Sequence, residues 1–185
     1  MADLFIKNMV CRHCVQAVKA CLDELGVEYE NVGLGIARLR TVPDAGLLDR
    51  IRCALKDNGF EIIDDAESRV IERAKHIVMQ HVREENGRPH NLSECIERKL
   101  AMNYDTVSRL FSSKEGRTLE KYHIAQKVER VKELLQHGEY TLSEIADMVD
   151  YSSVAHLSRQ FKNVTGMTPT DYLKGMRERR AINEV

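Results

Sequence analysis

The run LSEIADMVDYSSVAHLSRQFKNVTGMTPTDY, residues 142–172, decides how this 185-residue chain is read, because residues 92–122 repeat it at an offset of 50 without a gap. Nine positions are identical between the copies: Leu92 and Leu142, Ser93 and Ser143, Glu94 and Glu144, Ser108 and Ser158, Arg109 and Arg159, Phe111 and Phe161, Gly116 and Gly166, Thr118 and Thr168, Tyr122 and Tyr172. Two copies are too few for a solenoid, so one structural unit is used twice. Each copy opens on a helix-start signal, with Asn91 or Thr141 as cap and Glu94 or Glu144 three positions on to satisfy the free amides. In the second copy Leu142, Ile145, Ala146 and Val149 have the spacing of a half-buried helix. Asp150-Tyr151-Ser152 breaks it, and Ser152 is expected to cap a second helix over 153–164 with Val154, Leu157, Phe161 and Val164 inward. The first copy predicts helices over 92–101 and 104–114.

A short helix, a tight turn and a second helix with a basic, hydroxyl-bearing outer face form the helix-turn-helix pattern, whose second helix lies in the major groove. The outer face of the second copy carries Ala155, His156, Ser158, Arg159 and Lys162. With Ser153 and Val154 these are its candidate DNA contacts, and Asp105, Thr106, Ser108 and Arg109 are those of the first copy. A guanidinium on an exposed helix face can bond two acceptors on a guanine edge, or a phosphate. The hydroxyls can reach phosphates or bases, and Val154 and Ala155 are small enough to sit against a thymine methyl. A solvated helix face is the competing reading for one Arg; the same Arg in two duplicated frames disfavours it. Phe111, Phe161, Tyr122 and Tyr172 read as core. The amphipathic stretch 119–136, with Ile124, Val128, Val131 and Leu135 near one side, is a spacer. A rigid helix there would hold the two reading helices apart, and one turn of B-DNA, ~34 Å, is the natural distance. Thr168-Pro169 opens a closing helix to about Arg179.

With these motifs in place, residues 68–180 resemble the DNA-binding domain of AraC-type transcription regulators. The resemblance rests on Ile145-Ala146, Tyr151-Ser152-Ser153, the run from His156 to Lys162, Gly166-Met167-Thr168-Pro169 and Tyr172. The first copy departs from the family pattern: Ile96 replaces a small Ala in the first helix. The turn Gly is absent from both copies, with Asp150 in its place in the second, and Asp tolerates left-handed geometry better than most residues.

The first 64 residues have a different texture. Residues 4–9 read as a strand, Val15, Val18, Leu22 and Leu25 as one face of a helix ended by Gly26, and 27–42 as two strands turning near Gly33 to Gly35. Residues 47–55 carry a second helical stripe and 59–63 a last strand. The order βαββαβ predicts a ferredoxin-like arrangement. Between the first strand and helix lies Met9-Val10-Cys11-Arg12-His13-Cys14. Two cysteines spaced this way at a helix start can point both sulfurs at one ion, and the helix N-terminus with Arg12 favours thiolates, which select soft ions such as Cu(I), or Zn(II) with added ligands. Thiol redox switching and inert thiols remain the other readings of the pair. His13 reads as a bystander. Cys21 lies ~10.5 Å along the helix axis from Cys14 at ~1.5 Å per residue, too far to share an ion. Cys21, Cys53 and Cys95 lie in helical patterns and are expected to be small buried hydrophobes. Residues 1–64 resemble a heavy-metal-associated domain of the kind found in copper chaperones and P-type ATPase tails. That resemblance implies Cys11 and Cys14 as metal ligands, Met9 packed beneath the loop and Phe60 near the site.

The fold class expected is therefore α+β: a ferredoxin-like domain over 1–64, then an all-α domain over 65–185 with two helix-turn-helix motifs joined by a long helix. A hydrophobic content of 43% supports two small cores. No run is long enough to cross a membrane, no signal peptide is expected ahead of Asp3, and five cysteines with one CxxC suit a reducing cytoplasm. Net charge is −1, so DNA binding has to rest on local charge, with Lys114, Arg117, Arg159, Lys162, Lys174, Arg177, Arg179 and Arg180 as a candidate stripe. The junction at 64–68 lacks Gly and Pro and runs into a helix lined by Val70, Ile71, Ala74, Ile77, Val78, His81 and Val82. A stiff junction would let a change at Cys11 and Cys14 bias the DNA-binding half. The function expected is a metal-responsive transcription regulator, not an enzyme, binding double-stranded operator DNA, with Cu(I) favoured and Zn(II) or another soft metal as alternatives. Metal could also bridge two N-terminal domains through four thiolates into a homodimer. The rivals are a thiol redox sensor using the same pair, an Ada-like alkyl-transfer protein, which needs four cysteines on one zinc, and a metallochaperone whose C-terminal half docks protein.

Overall fold

Residues 1–63 alternate short strands and helices: β1 (Ala2–Lys7), α1 (Arg12–Glu24), β2 (Tyr29–Gly33), β3 (Ile36–Leu39), α2 (Ala45–Asp57) and β4 (Glu61–Ile62). The computed structural model describes residues 1–83 and 91–175. The four strands form one antiparallel sheet in the order β2-β3-β1-β4, with Leu4 opposite Ala37 and Ile6 opposite Ile62. Side chains alternate across a strand, so Leu4 and Ile6 face a core shared with Val18 and Leu22 of α1 and with Ile51 and Leu55 of α2. Phe5 points the other way, and the guanidinium of Arg69 lies 4.9 Å from its ring centroid.

Arg69 belongs to α3 (Ala66–Arg83), which starts directly after β4; the Asp65 carboxylate accepts the Ser68 amide, and the Arg69 guanidinium donates to the Asp64 carbonyl at 2.8 Å. Contacts on several sides bury nine of its side chains. Toward the sheet it sets Arg69 and His76; on the helical side Ile71, Ala74, Ile77 and Val78 join a cluster with α4 (Leu92–Leu100) and α5 (Tyr104–Glu115). Lys75, largely buried, reaches Glu72 at 2.8 Å and Glu115 at 2.7 Å, and Lys114 meets Glu67 at 3.1 Å, so ion pairs fasten α3 to the end of α5.

The long helix α6 (Leu119–His137) serves two cores. Leu119 and Tyr122 complete the cluster with Phe111, while Val128, Val131, Leu134 and Leu135 pack on α7 (Leu142–Met148) and α8 (Val154–Thr165) around Leu157 and Phe161. Thr141 and Glu144 form the full capping box, and Asn91 accepts the Glu94 amide, as the two start signals predict. Three expectations fail. Ser153, not Ser152, caps α8, since its hydroxyl accepts the His156 amide at 3.1 Å. Val164 is 47% exposed rather than inward, because the helix leaves its core after Phe161. Cys53 is exposed on α2, whereas Cys21 and Cys95 are buried as expected. The closing helix is described from Pro169 to Gly175, and its expected end near Arg179 lies outside the described residues.

Candidate nucleic-acid interface and thiol loop

Both turns use a left-handed residue without the glycine that such geometry favours: Asp150 at φ 56° and Ala101 at φ 54°. Asp150 stands three residues before the α8 cap Ser153, but Ala101 stands only two before the α5 cap Asn103. The first turn is thus one residue tighter, and the offset of 50 shifts locally. The second turn has a clamp that local sequence patterns do not reveal. Lys127 of α6 is 8% exposed; its Nζ donates to the Asp150 backbone carbonyl at 2.8 Å and sits 4.8 Å from the centroid of the Tyr151 ring. Periodicity assigns a lysine to solvent, whereas here the stem lies along the core and the charge ends on the turn.

On α8, Ala155, Arg159 and Lys162 are exposed and fall at i, i+4 and i+7, one stripe of the helix surface. His156 and Ser158 are half-buried at its side. His156 Nδ1 lies 3.2 Å from the Ser152 hydroxyl, and its ring meets Tyr151 edge-on at 5.3 Å. The Ser153 hydroxyl is engaged as the cap, and Val154 is half-buried against the core of the second unit. On α5, Asp105, Thr106 and Arg109 are exposed and Ser108 is half-buried; Arg109 Nε donates to the Asp105 carbonyl at 3.3 Å. Of the proposed basic stripe, Lys114 is engaged with Glu67, and Arg117 covers the Tyr122 ring at 4.7 Å. Arg159, Lys162 and Lys174 are exposed, and Arg177, Arg179 and Arg180 lie outside the described residues. The 19 residues of α6 span ~28 Å at ~1.5 Å each, the same order as one turn of B-DNA.

In the N-terminal unit, Cys11 stands at the N-cap position of α1 and Cys14 lies in its first turn, with the sulfurs 3.5 Å apart. The Cys14 amide, then the Cys14 thiol, and more weakly His13, hydrogen-bond the Cys11 sulfur and lower its pKa from 9.0 to about 7. Met9 is buried beneath the loop and Phe60 is buried too. The other cysteines do not converge on this pair. Cys21 approaches the Ala54 carbonyl and the Asn58 amide, and Cys95 lies 3.8 Å from His81 Nδ1. Among the described residues no group of three or more His, Cys, Asp or Glu is arranged to hold a metal, so the four-cysteine zinc site of an Ada-like protein is not assembled. Nor is any helix of the described residues long and apolar enough to cross a membrane.

The family model for a helix-turn-helix domain matches residues 96–175. Among solved structures, the chain is similar to the C-terminal domain of AraT, a response regulator from Geobacillus stearothermophilus, at 22% identity and TM-score 0.51, over 60% of this chain and 88% of that one. It is also similar to a regulator with an AraC-type DNA-binding domain from Chromobacterium violaceum, at 21% identity and TM-score 0.50, over 60% and 95%. The third is ToxT from Vibrio cholerae, at 16% identity and TM-score 0.51, over 89% and 68%. A comparison with curated proteins returned no match. With paired helices on either side of a shared long helix, residues 96–175 match the helix-turn-helix family model and share the fold of these regulators' domains.

Proposed function

We propose that this DNA-binding domain serves a transcription regulator whose grip on its operator is set by a soft metal ion at Cys11 and Cys14, with Cu(I) the best fit. The observation that carries the reading is the thiol pair itself: two free sulfurs 3.5 Å apart at a helix start, one with its pKa lowered to about 7. Two metal–sulfur bonds of ~2.3 Å can close over that gap, and a thiolate donor set selects soft ions. The strand order β2-β3-β1-β4 with both helices on one face supports reading residues 1–64 as a ferredoxin-like, heavy-metal-associated domain and 65–185 as the DNA-binding domain. Two thiolates leave an ion under-coordinated, so the same site can join two copies through four thiolates. Arg109 and Arg159, each on an exposed helix face, are assigned to DNA, with Thr106, Ser108, Ala155, Ser158 and Lys162 beside them.

Footprinting the DNA upstream of the protein's own gene with apo, Cu(I)-loaded, Zn(II)-loaded and oxidised protein tests the reading. Cu(I) should change the operator Kd, and Cys11→Ser with Cys14→Ser should remove the change. Binding should also fall steeply from ~50 to ~200 mM salt, because neutralised phosphates release counterions; flat binding would count against the DNA assignment. The same 3.5 Å approach favours a second reading, disulfide formation between Cys11 and Cys14 under oxidation. A response to peroxide and none to Cu(I) would select it.

A further inference from the structure

The loop that carries Cys11 is held from both sides. Asn8, itself left-handed at φ 71°, donates its side-chain amide to the Gly59 carbonyl at 3.0 Å within the N-terminal sheet unit. One residue on, the Met9 carbonyl lies 2.8 Å from Nε2 of His76, which is on α3, 67 positions away in sequence. A carbonyl can only accept, so Nε2 carries the proton. Both residues are buried, Met9 at 1% and His76 at 9% exposure. The fit around the imidazole is close. A Cβ on Gly35, whose φ is +77°, would stand 2.7 Å from His76 Nδ1 and nearer still to Cε1. The strand turn at Gly35 is therefore bare so that this ring can enter. Beside it, Val10, Cys11 and Arg12 form one wall of a groove whose other wall is His76, Met79 and Arg83 of α3.

What α3 touches at its far side gives this contact a direction. Lys75, next to His76 in sequence, pairs with Glu115 of α5; Lys114 of α5 pairs with Glu67; Arg73 donates to the Lys99 carbonyl at the end of α4 at 2.9 Å. Ile71, Ala74, Ile77 and Val78 share a core with Val107 and Phe111. Both helices of the first reading unit are thus anchored on α3. Arg83 of α3 also reaches Glu133 of α6 at 2.6 Å, but α8 itself packs in a separate cluster, with Val128 and Val131 of α6.

We infer that His76 is the positioning residue that links the thiol loop to the first reading helix, α5, through its hydrogen bond to the Met9 carbonyl and its seat against Gly35. This rests on the metal-responsive reading above. An ion drawn onto Cys11 and Cys14 re-shapes residues 9–14, which moves or releases the Met9 carbonyl; α3 and α5 then shift together, while α8 keeps its place. Metal regulates one half of the operator contact, and the closely matched second unit supplies the constant half.

The test uses full-length protein, Cu(I) affinity measured against a competing chelator, and operator Kd in apo and Cu(I) forms. Wild type should show a Kd ratio of roughly fivefold or more, the lower end of ordinary allosteric coupling. His76→Leu and Gly35→Ala, which attack the same contact from opposite sides, should each bring the ratio below about twofold while Cu(I) affinity and apo Kd stay near wild type; His76→Gln, able to donate to the same carbonyl, should retain part of it. A full ratio in both variants overturns the inference. Loss of the ratio together with Cu(I) affinity overturns it as well, since His76 would then belong to the metal site. A wild-type ratio of one with Cu(I) bound overturns the metal-responsive reading first, and the coupling with it. Hydrogen exchange on wild type, which needs no variant, should change on Cu(I) addition in residues 66–83 and 104–115 and stay constant in 154–165; the reverse pattern refutes it.

Discussion

Replacing Lys127 with Met should cost ~2 kcal/mol of stability and loosen the second reading unit. The wild-type side chain is largely buried, and its charged Nζ donates to the Asp150 carbonyl at 2.8 Å. A hydrogen bond from a charged donor contributes ~1.5–3 kcal/mol. The ammonium 4.8 Å from the Tyr151 centroid adds ~0.5–1 kcal/mol. The Asp150 carboxylate, 3.8 Å away and 74% exposed, adds little because water screens it. Met keeps most of the stem packing and spares the cost of burying a charge, which offsets part of the loss. A net ~2 kcal/mol lowers Tm by roughly 4–8 °C in a chain of this size, and urea unfolding should show it as a lower midpoint with the slope unchanged. The double variant separates the partners: with Asp150→Asn, which keeps a left-handed-tolerant residue, the cost of Lys127→Met should be the same within ~0.5 kcal/mol. A variant as stable as wild type would mean that burying the ammonium outweighs its bonds. A coupling above ~1 kcal/mol would mean that the carboxylate is the true partner.

Ala101→Gly should stabilise the first unit by ~0.5–1 kcal/mol, since the left-handed strain of Ala exceeds the unfolded-state entropy Gly adds; a lower Tm refutes it. The alkylation rate of Cys11 should have its midpoint near pH 7, the value to which its neighbours lower it. Because the folded pKa is depressed, the thiolate and soft-metal capture are present above that pH and lost as pH falls through it; a midpoint near 9 would contradict this, and Cys14→Ala should move it upward. Arg159→Ala should cost ~1–3 kcal/mol in operator binding with the melting curve unchanged. Arg109→Ala should cost less, as its copy departs from the family pattern, and the opposite ranking would refute the assignment of the firmer contact to α8.

Several features were readable from short windows of sequence because they are locally encoded. Thr141 and Glu144 form their box across one helical turn, the 3-4 spacing of Val15, Val18, Leu22 and Leu25 matches α1, and Asp150 takes the left-handed turn expected of it. Ser152 against Ser153 as the cap was not decidable that way. Both are serines in adjacent positions, and which one caps depends on where α7 ends and the turn releases the chain. Val164 and Cys53 misled for the same reason: periodicity says which side of a helix a residue is on, but not where the neighbouring core stops.

By itself the sequence determined the duplication, the cap signals, the approximate extent of the helices and the cysteine pair, since each depends on residues within a few turns of one another. Only the tertiary structure decided that Lys127 closes on a carbonyl 23 positions away, that Gly35 is bare to admit His76, and that α3 faces a sheet on one side and a reading unit on the other. Those contacts join surfaces that are distant in the chain. Their partners are fixed by how the layers meet, a relation that local propensity and spacing do not encode.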